Sequence, residues 1–331
     1  MKKKNILSGM RPTGKLHLGH LVGALKSWIE LQEEYNCFFM VADWHALMSE
    51  YEKPSDIKKN SFEIVKDWIS CGIDPEKSVI FIQSMVPEHL ELAMVFSMLT
   101  PLGWLERCPT YKEQLREIKG RMLATYGFLG YPVLQAADIA LYRADLVPVG
   151  EDQKHHLELA REIIRRFHSL YGKEIFVEPQ PMLTQFSKLV GLDNRKMSKS
   201  YGNFISLSDS PETVNKKVYS MYTDPNRVRA DVPGRVKGNP VFIYHDIFNS
   251  DSEQVEDLKK RYRAGKVGDV EVKKKLAAAL NDYLGPIRQR REELTDDDVR
   301  QIIEEGSKKA REAAHKTMTK VKKCLHQVID R

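Results

Sequence analysis

The first half of the chain alternates two kinds of hydrophobic pattern. Asn5-Ile6-Leu7-Ser8 is a short apolar run that stops at Gly9 and reads as a strand. A loop rich in Pro, Gly and Thr, Arg11-Pro12-Thr13-Gly14-Lys15, separates it from a helix in which Leu18, Leu21, Val22, Leu25, Trp28 and Ile29 recur at helical spacing. Cys37-Phe38-Phe39-Met40-Val41-Ala42 is apolar without alternation, as in a strand covered on both faces. Pro54 opens a second helix where its missing N–H costs little, and that helix runs to about Cys71-Gly72. Ser78-Val79-Ile80-Phe81-Ile82 is a third buried strand. Leu146-Val147-Pro148-Val149 is a fourth; it ends at Gly150 and leads into a helix with Leu157, Ala160, Ile164 and Phe167 on one face. This alternation predicts an α/β fold built on a doubly wound, Rossmann-like parallel sheet. Ligands of such sheets sit outside the carboxyl ends of the strands, so the loops after Ser8, Ala42 and Val149 should converge on one site.

From residue 207 onward the strand signals fade and helical patterns dominate, interrupted by a basic Pro/Gly loop over residues 223–240. Thr295 with Asp298 three residues on has the form of a capping box that opens a long last helix. The expected organisation is a nucleotide-binding domain over 1–206 and a smaller all-helical domain over 207–331, whose last helix can pack back on the first domain. Composition narrows the class: 42% hydrophobic and 30% charged residues suit a globular chain rather than a disordered one. No run of about 18 apolar residues exists to span a membrane, and the basic start, Met1-Lys2-Lys3-Lys4, is not followed by a stretch long enough for a signal peptide. Cys37, Cys71, Cys108 and Cys324 are scattered with no CxxC pair, which argues against a disulfide framework or a metal cluster and for a cytoplasmic setting. Of the net charge of +6, most lies late in the chain: residues 207–331 hold 26 Lys and Arg against 21 Asp and Glu. A basic helical part beside a nearly neutral one suits a partner with a phosphate backbone.

Two segments carry chemistry. Pro12-Thr13-Gly14-Lys15-Leu16-His17-Leu18-Gly19-His20 joins the first strand to the first helix. Gly14 supplies backbone freedom, Gly19 admits a close neighbour, the helix start offers free N–H groups to a phosphate, and His17 and His20 add imidazole donors. Taken alone, the segment also fits an ordinary strand–helix loop. Arg195-Lys196-Met197-Ser198-Lys199-Ser200-Tyr201-Gly202-Asn203 sets Lys196 and Lys199 among small polar residues, a loop suited to neutralising charge on a polyphosphate leaving group.

Together these segments resemble the signatures of the class I aminoacyl-tRNA synthetases: His17-Leu18-Gly19-His20 matches His-Ile-Gly-His with Leu for Ile, and Lys196-Met197-Ser198-Lys199-Ser200 is KMSKS unaltered. The resemblance covers nearly the whole chain, most tightly at residues 5–50, 128–160 and 195–204. The chain's size points to the tryptophanyl and tyrosyl branch, which implies a homodimer, ATP with Mg2+ as substrate and a tRNA partner. The resemblance implies phosphate roles for His17, His20, Lys196, Ser198 and Lys199. It places Gly9, Arg11, Pro12, Thr13, Gly19, Gly150, Glu151, Asp152, Met197 and Ser200 around the nucleotide.

Tyr131-Pro132-Val133-Leu134-Gln135-Ala136-Ala137-Asp138 sets a carboxylate in an apolar helix, where it needs a partner or a purpose. Asp138 is suited to accept from an indole N–H or from a phenol O–H. Two features favour tryptophan, and hence tRNA(Trp). Leu7 stands where tyrosyl enzymes typically have a tyrosine, and Val147-Pro148-Val149-Gly150-Glu151-Asp152-Gln153 resembles the tryptophanyl pattern. The implied amino-acid site is Leu7, His45, Tyr131, Gln135, Asp138, Val149 and Gln153, and His155-His156 reads as helix surface. Arg229, Arg235, Lys237 and Arg227 in the basic loop are the expected RNA contacts. Arg11 and Gln135 depart from the commoner bacterial pattern. Some members that share both residues carry an iron–sulfur cluster in the C-terminal domain, but with no cysteine between Cys108 and Cys324 the cluster is expected to be absent. Two rival readings are a non-catalytic RNA-binding paralogue and a cofactor nucleotidyltransferase. The first gives no reason to keep the lysines of KMSKS, and the second explains neither the helical C-terminal part nor the Asp138 segment.

Overall fold

The computed structural model describes residues 3–52, 54–108, 124–150, 153–183, 189–197, 199, 201–227 and 229–327. Two compact units make up the chain: Met1–Gly14, Trp28–Gln185 and Thr295–Arg331 in the first, Lys15–Ser27 and Phe186–Leu294 in the second.

The first unit is built on a parallel sheet in the order β3-β2-β1-β4-β5, with β1 Asn5–Met10, β2 Asn36–Val41, β3 Ser78–Ile82, β4 Leu146–Val149 and β5 Gln180–Leu183. β1 and β2 pair in register from Asn5↔Asn36 to Met10↔Val41, and helices from both halves of the order cover the faces. The four expected strands are present. β5 is an addition: it is four residues long, carries Pro181 and has no apolar run to announce it. Trp28 stacks on Phe39 at 4.4 Å and meets the edge of Trp68, filling the space between helix and sheet.

Pro148 has a visible effect on the sheet. A proline has no N–H for the ladder, and β4 pairs with β1 only at Ile6↔Leu146, while it stays paired with β5 along its length. Beyond that single pair, no further ladder pair joins β1 to β4. The order reverses about β1, so the carboxyl ends of β1 and β4 lie at the switch point where such sheets bind ligands.

The last helix, Asp296–Cys324, packs in the first unit. Thr295 caps it: the side chain accepts from the N–H of Asp298, and the Asp298 carboxylate accepts from the N–H of Thr295. The helix crosses β3 at Gly306, where a Cβ would collide with the carbonyl oxygen of Ile80.

The second unit is helical. Pro211–Tyr219, Pro240–Phe248, Ser252–Arg263 and Asp269–Glu293 bury Val214, Val218, Phe242, Tyr244, Leu258, Tyr262, Leu276 and Leu280. Residues 18–34 are helical, but Leu21–Leu25 is wound as a π-helix directly after His20, a distortion common at functional sites.

Gly306→Ala should therefore destabilise the protein by about 3 kcal/mol or more, as overpacking against backbone does. Thr295→Ala, which removes one cap, should cost about 1 kcal/mol. Urea unfolding of the two variants checks the ranking, and equal costs would mean that the contact at β3 relaxes freely.

Candidate functional site

A cavity of about 360 Å³ opens in the first unit at the carboxyl ends of β1 and β4. Leu7, Ser8, Gly9 and Arg11 line one side, Val147, Pro148, Val149 and Gln153 another, and His45, Tyr131, Gln135 and Asp138 complete the polar part of the wall together with apolar Met40, Ala42, Met48, Phe128 and Ile139. The loops after Ser8, Ala42 and Val149 thus converge, and Leu7, His45, Tyr131, Gln135, Asp138, Val149 and Gln153 are brought together in one space. Gly9 stands where a Cβ would lie 2.8 Å from the carbonyl oxygen of Met40, so only glycine fits there.

Asp138 is 1% exposed and sits on the helix Tyr126–Leu141. Its Oδ1 accepts from Gln83 Nε2 at 2.8 Å and His89 Nδ1 at 2.6 Å, and its Oδ2 accepts from His45 Nε2 at 2.8 Å. Burial favours the neutral acid, but the field and hydrogen bonds of His89 and His45 outweigh it and hold the carboxyl at about 2. An ionised carboxylate has about four acceptor positions; three are filled from the protein, which leaves one on Oδ2. Behind His89, Nε2 meets the Tyr142 hydroxyl at 2.8 Å. Burial, then the Asp138 charge, pushes that phenol well above its usual pKa.

At the other end of the cavity, Tyr131 and Gln153 are tied by a histidine. His156 Nε2 lies 2.7 Å from the Tyr131 hydroxyl, and its Nδ1 lies 3.0 Å from Gln153 Oε1. His156 is buried, so the reading of His155-His156 as helix surface holds only for His155. On the helix Lys154–Tyr171 it lies one position before Leu157, on the apolar face. Its position in that pattern was the signal available for it. Gln83 and His89 were also missed, because no spacing along the chain links them to Asp138; Tyr142 was missed too, although it stands four residues after Asp138 and that helical spacing was the signal available for it.

The phosphate motifs belong to the second unit. Residues 16–18 pair antiparallel with residues 205–207: Leu18 N–H donates to the Ile205 carbonyl at 3.0 Å, Leu207 N–H to the Leu16 carbonyl at 3.0 Å, and Ser206 Oγ to the same Leu16 oxygen. This bridge sets His17 and His20 beside the lysine loop. A Cβ on Gly19 would lie 2.9 Å from Met197 Sδ and 3.0 Å from the His17 ring. The two imidazole rings are 3.8 Å apart. His20 Nδ1 accepts the His17 backbone N–H at 3.2 Å, so its remaining proton is on Nε2. Burial, then the nearby Lys199 charge, lowers His17 to about 4. Burial, His17 and Lys199 together lower His20 to about 2. Both rings are neutral at pH 7 and offer N–H groups rather than charge; the positive charge is on Lys196, which is exposed, and Lys199. Of the other expected nucleotide neighbours, Pro12 and Thr13 follow Arg11 in the loop after β1, and Gly150 follows β4. Glu151, Asp152, Ser198 and Ser200 lie outside the described residues.

Arg227 is a correction to the expected RNA contacts. It is buried against the Tyr262 ring at 4.0 Å, donates to Asp269 Oδ2 at 3.0 Å and to the carbonyls of Val232, Ala230 and Val267, and so staples the basic loop. Arg235 and Lys237 are exposed, and exposed Arg229 pairs with Asp231.

Comparison with known proteins places this geometry. The profile of the tRNA synthetases class I (W and Y) matches residues 1–285. The tryptophan–tRNA ligase of Thermotoga maritima is 50% identical over 97% of this chain and 98% of its own length. That of Aquifex aeolicus is 43% identical over 97% and 99%. The crystal structure of tryptophanyl-tRNA synthetase from Campylobacter jejuni complexed with ADP and tryptophan superposes with a TM-score of 0.89 at 34% identity, covering 97% of this chain and 99% of that one. With its sheet, its cavity at the switch point and its two bridged phosphate motifs, the chain belongs to the class I tRNA synthetases of the tryptophan and tyrosine branch.

Proposed function

We propose that the chain is a tryptophan–tRNA ligase, which activates L-tryptophan with ATP and passes the tryptophanyl group to tRNA(Trp). The observation that carries this reading is the Asp138 carboxylate, ionised and with one acceptor position open to a cavity whose walls are otherwise largely apolar. An indole has one N–H donor and no acceptor, and it matches that position with its rings against Leu7, Val149 and Phe128. Tyr131 and Gln153, held by His156, face the ammonium and carboxylate of the amino acid, and His45 and Gln135 complete the wall.

The tryptophan carboxylate attacks the α-phosphorus of ATP. A P–O bond forms to the carboxylate, the bond from the α-phosphorus to the bridging oxygen breaks, and pyrophosphate leaves with that electron pair. The nucleophile is already anionic, so the protein supplies positioning and electrostatic stabilisation rather than a base. His17 and His20 donate neutral N–H bonds to phosphate oxygens. Lys196 and Lys199, with Ser198, stabilise charge on the leaving pyrophosphate. Gly9, Arg11, Pro12, Thr13, Gly19, Gly150, Glu151, Asp152, Met197 and Ser200 border the nucleotide. Magnesium arrives with ATP, held by phosphates and water; among the described residues no group of three or more His, Cys, Asp or Glu is arranged to hold a metal. The 2′-oxygen of the terminal ribose then attacks the carbonyl carbon of the adenylate: the ester C–O bond forms, the anhydride C–O bond breaks, AMP leaves with that electron pair, and the hydroxyl proton passes to the departing phosphate.

Residues from 207 to the end of the helix Asp269–Glu293 carry the anticodon-recognition role in this reading, with Arg229, Arg235 and Lys237 as backbone contacts. A homodimer in the cytoplasm completes it. The helix Glu88–Leu99 supports the dimer with an exposed apolar stripe of Leu90, Met94 and Met98, the two methionines 62% exposed. Among the described residues no helix is long and apolar enough to cross a membrane.

Amino-acid-dependent ATP–pyrophosphate exchange tests the proposal: exchange is expected with tryptophan and not with tyrosine, and exchange with neither would leave a catalytically silent RNA-binding protein. In the same assay Lys199→Ala should slow exchange by about a hundred- to thousandfold with the tryptophan KM nearly unchanged; a variant that only weakened tryptophan binding would remove Lys199 from the phosphate role. Asp138→Asn should instead raise the tryptophan KM by about tenfold or more, and an unchanged KM would place the indole elsewhere. Stability should also fall on acidification. The unfolded histidines bind protons below about pH 6.5, whereas folded His17 resists protonation until about pH 4. The unfolded state therefore takes up more protons across that window, and stability drops as pH falls through it. Urea midpoints from pH 7 to 4.5 should decline less in His17→Asn than in the unmodified chain, and parallel declines would mean that His17 titrates normally.

A further inference from the structure

His89 is 0% exposed and does not itself line the cavity, yet its ring links two groups that matter to it. Nδ1 lies 2.6 Å from Asp138 Oδ1 and Nε2 lies 2.8 Å from the Tyr142 hydroxyl. Gln83, also fully buried, donates to the same Oδ1 at 2.8 Å, while its own Oε1 is buried with no hydrogen-bond partner. That orphan is informative. Turning the amide over would satisfy nothing and would set an oxygen against a carboxylate. The fold therefore bears an unsatisfied buried acceptor, at a cost of about 1–3 kcal/mol, in a conformation that keeps a second donor on Oδ1.

We infer that His89, locked by Tyr142 and assisted by Gln83, is the positioning residue for amino-acid selection: it saturates Asp138 Oδ1 so that the one open acceptor of the carboxylate is on Oδ2, aimed into the cavity. This rests on the cavity being the tryptophan site proposed above. With Oδ1 occupied twice and Oδ2 once by His45, Asp138 can accept a single further hydrogen bond. Its direction is set from behind, by groups the substrate never meets. Phe81 stacks on the His89 ring at 5.9 Å and lies 5.3 Å from the Tyr142 ring, so both partners are also fixed by packing. A carboxylate held only from the cavity side would be free to rotate and to present either oxygen, and the N–H of an indole would lose its advantage over a ring without one.

The test compares tryptophan with its isostere in which sulphur replaces the indole N–H, using kcat/KM for pyrophosphate exchange with the full chain. The unmodified protein should prefer tryptophan by about tenfold or more, the worth of one buried hydrogen bond to a charged group. His89→Leu should collapse that preference by raising the tryptophan KM, with kcat and the isostere little affected. His89→Asn, which keeps an N–H near the position of Nδ1, should restore most of it. Tyr142→Phe removes one buried hydroxyl without changing volume and should lower the preference about threefold; it also answers the question if His89→Leu does not fold. Equal losses for both amino acids in these variants would show a merely structural role, and an unchanged preference would show that Asp138 is oriented without His89; either result overturns the inference. No preference in the unmodified protein would instead overturn the cavity reading itself.

Discussion

The first unit is organised around one buried negative charge. An ionised carboxylate at 1% exposure is tenable only when most of its acceptor positions are met, and removing a partner from such a group costs about 3–5 kcal/mol. The partners of Asp138 come from separate parts of the chain: His45 from the helix after β2, Gln83 from the turn after β3, His89 from the helix that follows. One charge thus requires the carboxyl ends of two strands and the helix Tyr126–Leu141 to take up a single arrangement. Any shift of those elements that uncouples a donor is opposed by the same desolvation cost, so the fold and the recognition surface have a common origin.

The aperture in front of that charge has a simpler cause. A parallel sheet with six good pairs between β1 and β2 would close its β1–β4 seam equally well if β4 could donate along its length. Pro148 prevents that, and the ladder stops after Ile6↔Leu146. The proline that ends the ladder also lines the cavity, and the side chains of Leu7 and Val149 finish its shape. The second unit solves a different problem. Its two histidines are kept neutral by burial and by the nearby Lys199 charge, which lets them donate to an anion without adding to the positive charge already on Lys196 and Lys199.

Much of this was legible in the chain. Strands one to four, the convergence of three loops, the capping box at Thr295 and the two signatures each depend on local pattern, and local pattern survives in sequence. What could not be read depends on distance. Gln83 and His89 look like any polar residue near a strand end or on a helix, and only the fold brings them 55 and 49 positions along to Asp138. His156 was read as surface because a histidine beside a histidine suggests solvent. Arg227 was read as an RNA contact because its neighbours are basic, whereas the Tyr262 ring and the Asp269 carboxylate that enclose it lie 35 and 42 residues further on. β5 was missed because Gln180-Pro181-Met182-Leu183 has only two adjacent aliphatic residues, whereas β4, equally short and also with a proline, has Leu146, Val147 and Val149.

The antiparallel pairing of residues 16–18 with residues 205–207 makes the two signatures neighbours by hydrogen bond, irrespective of the length of chain between them. Their alignment is thus insulated from the 158-residue stretch Trp28–Gln185, which leaves their compact unit and returns to it. Descendants of this architecture are free to lengthen, trim or replace surface loops within that stretch without re-registering the phosphate-handling groups. A graft of new recognition elements belongs there, and not in the few residues on either side of the bridge.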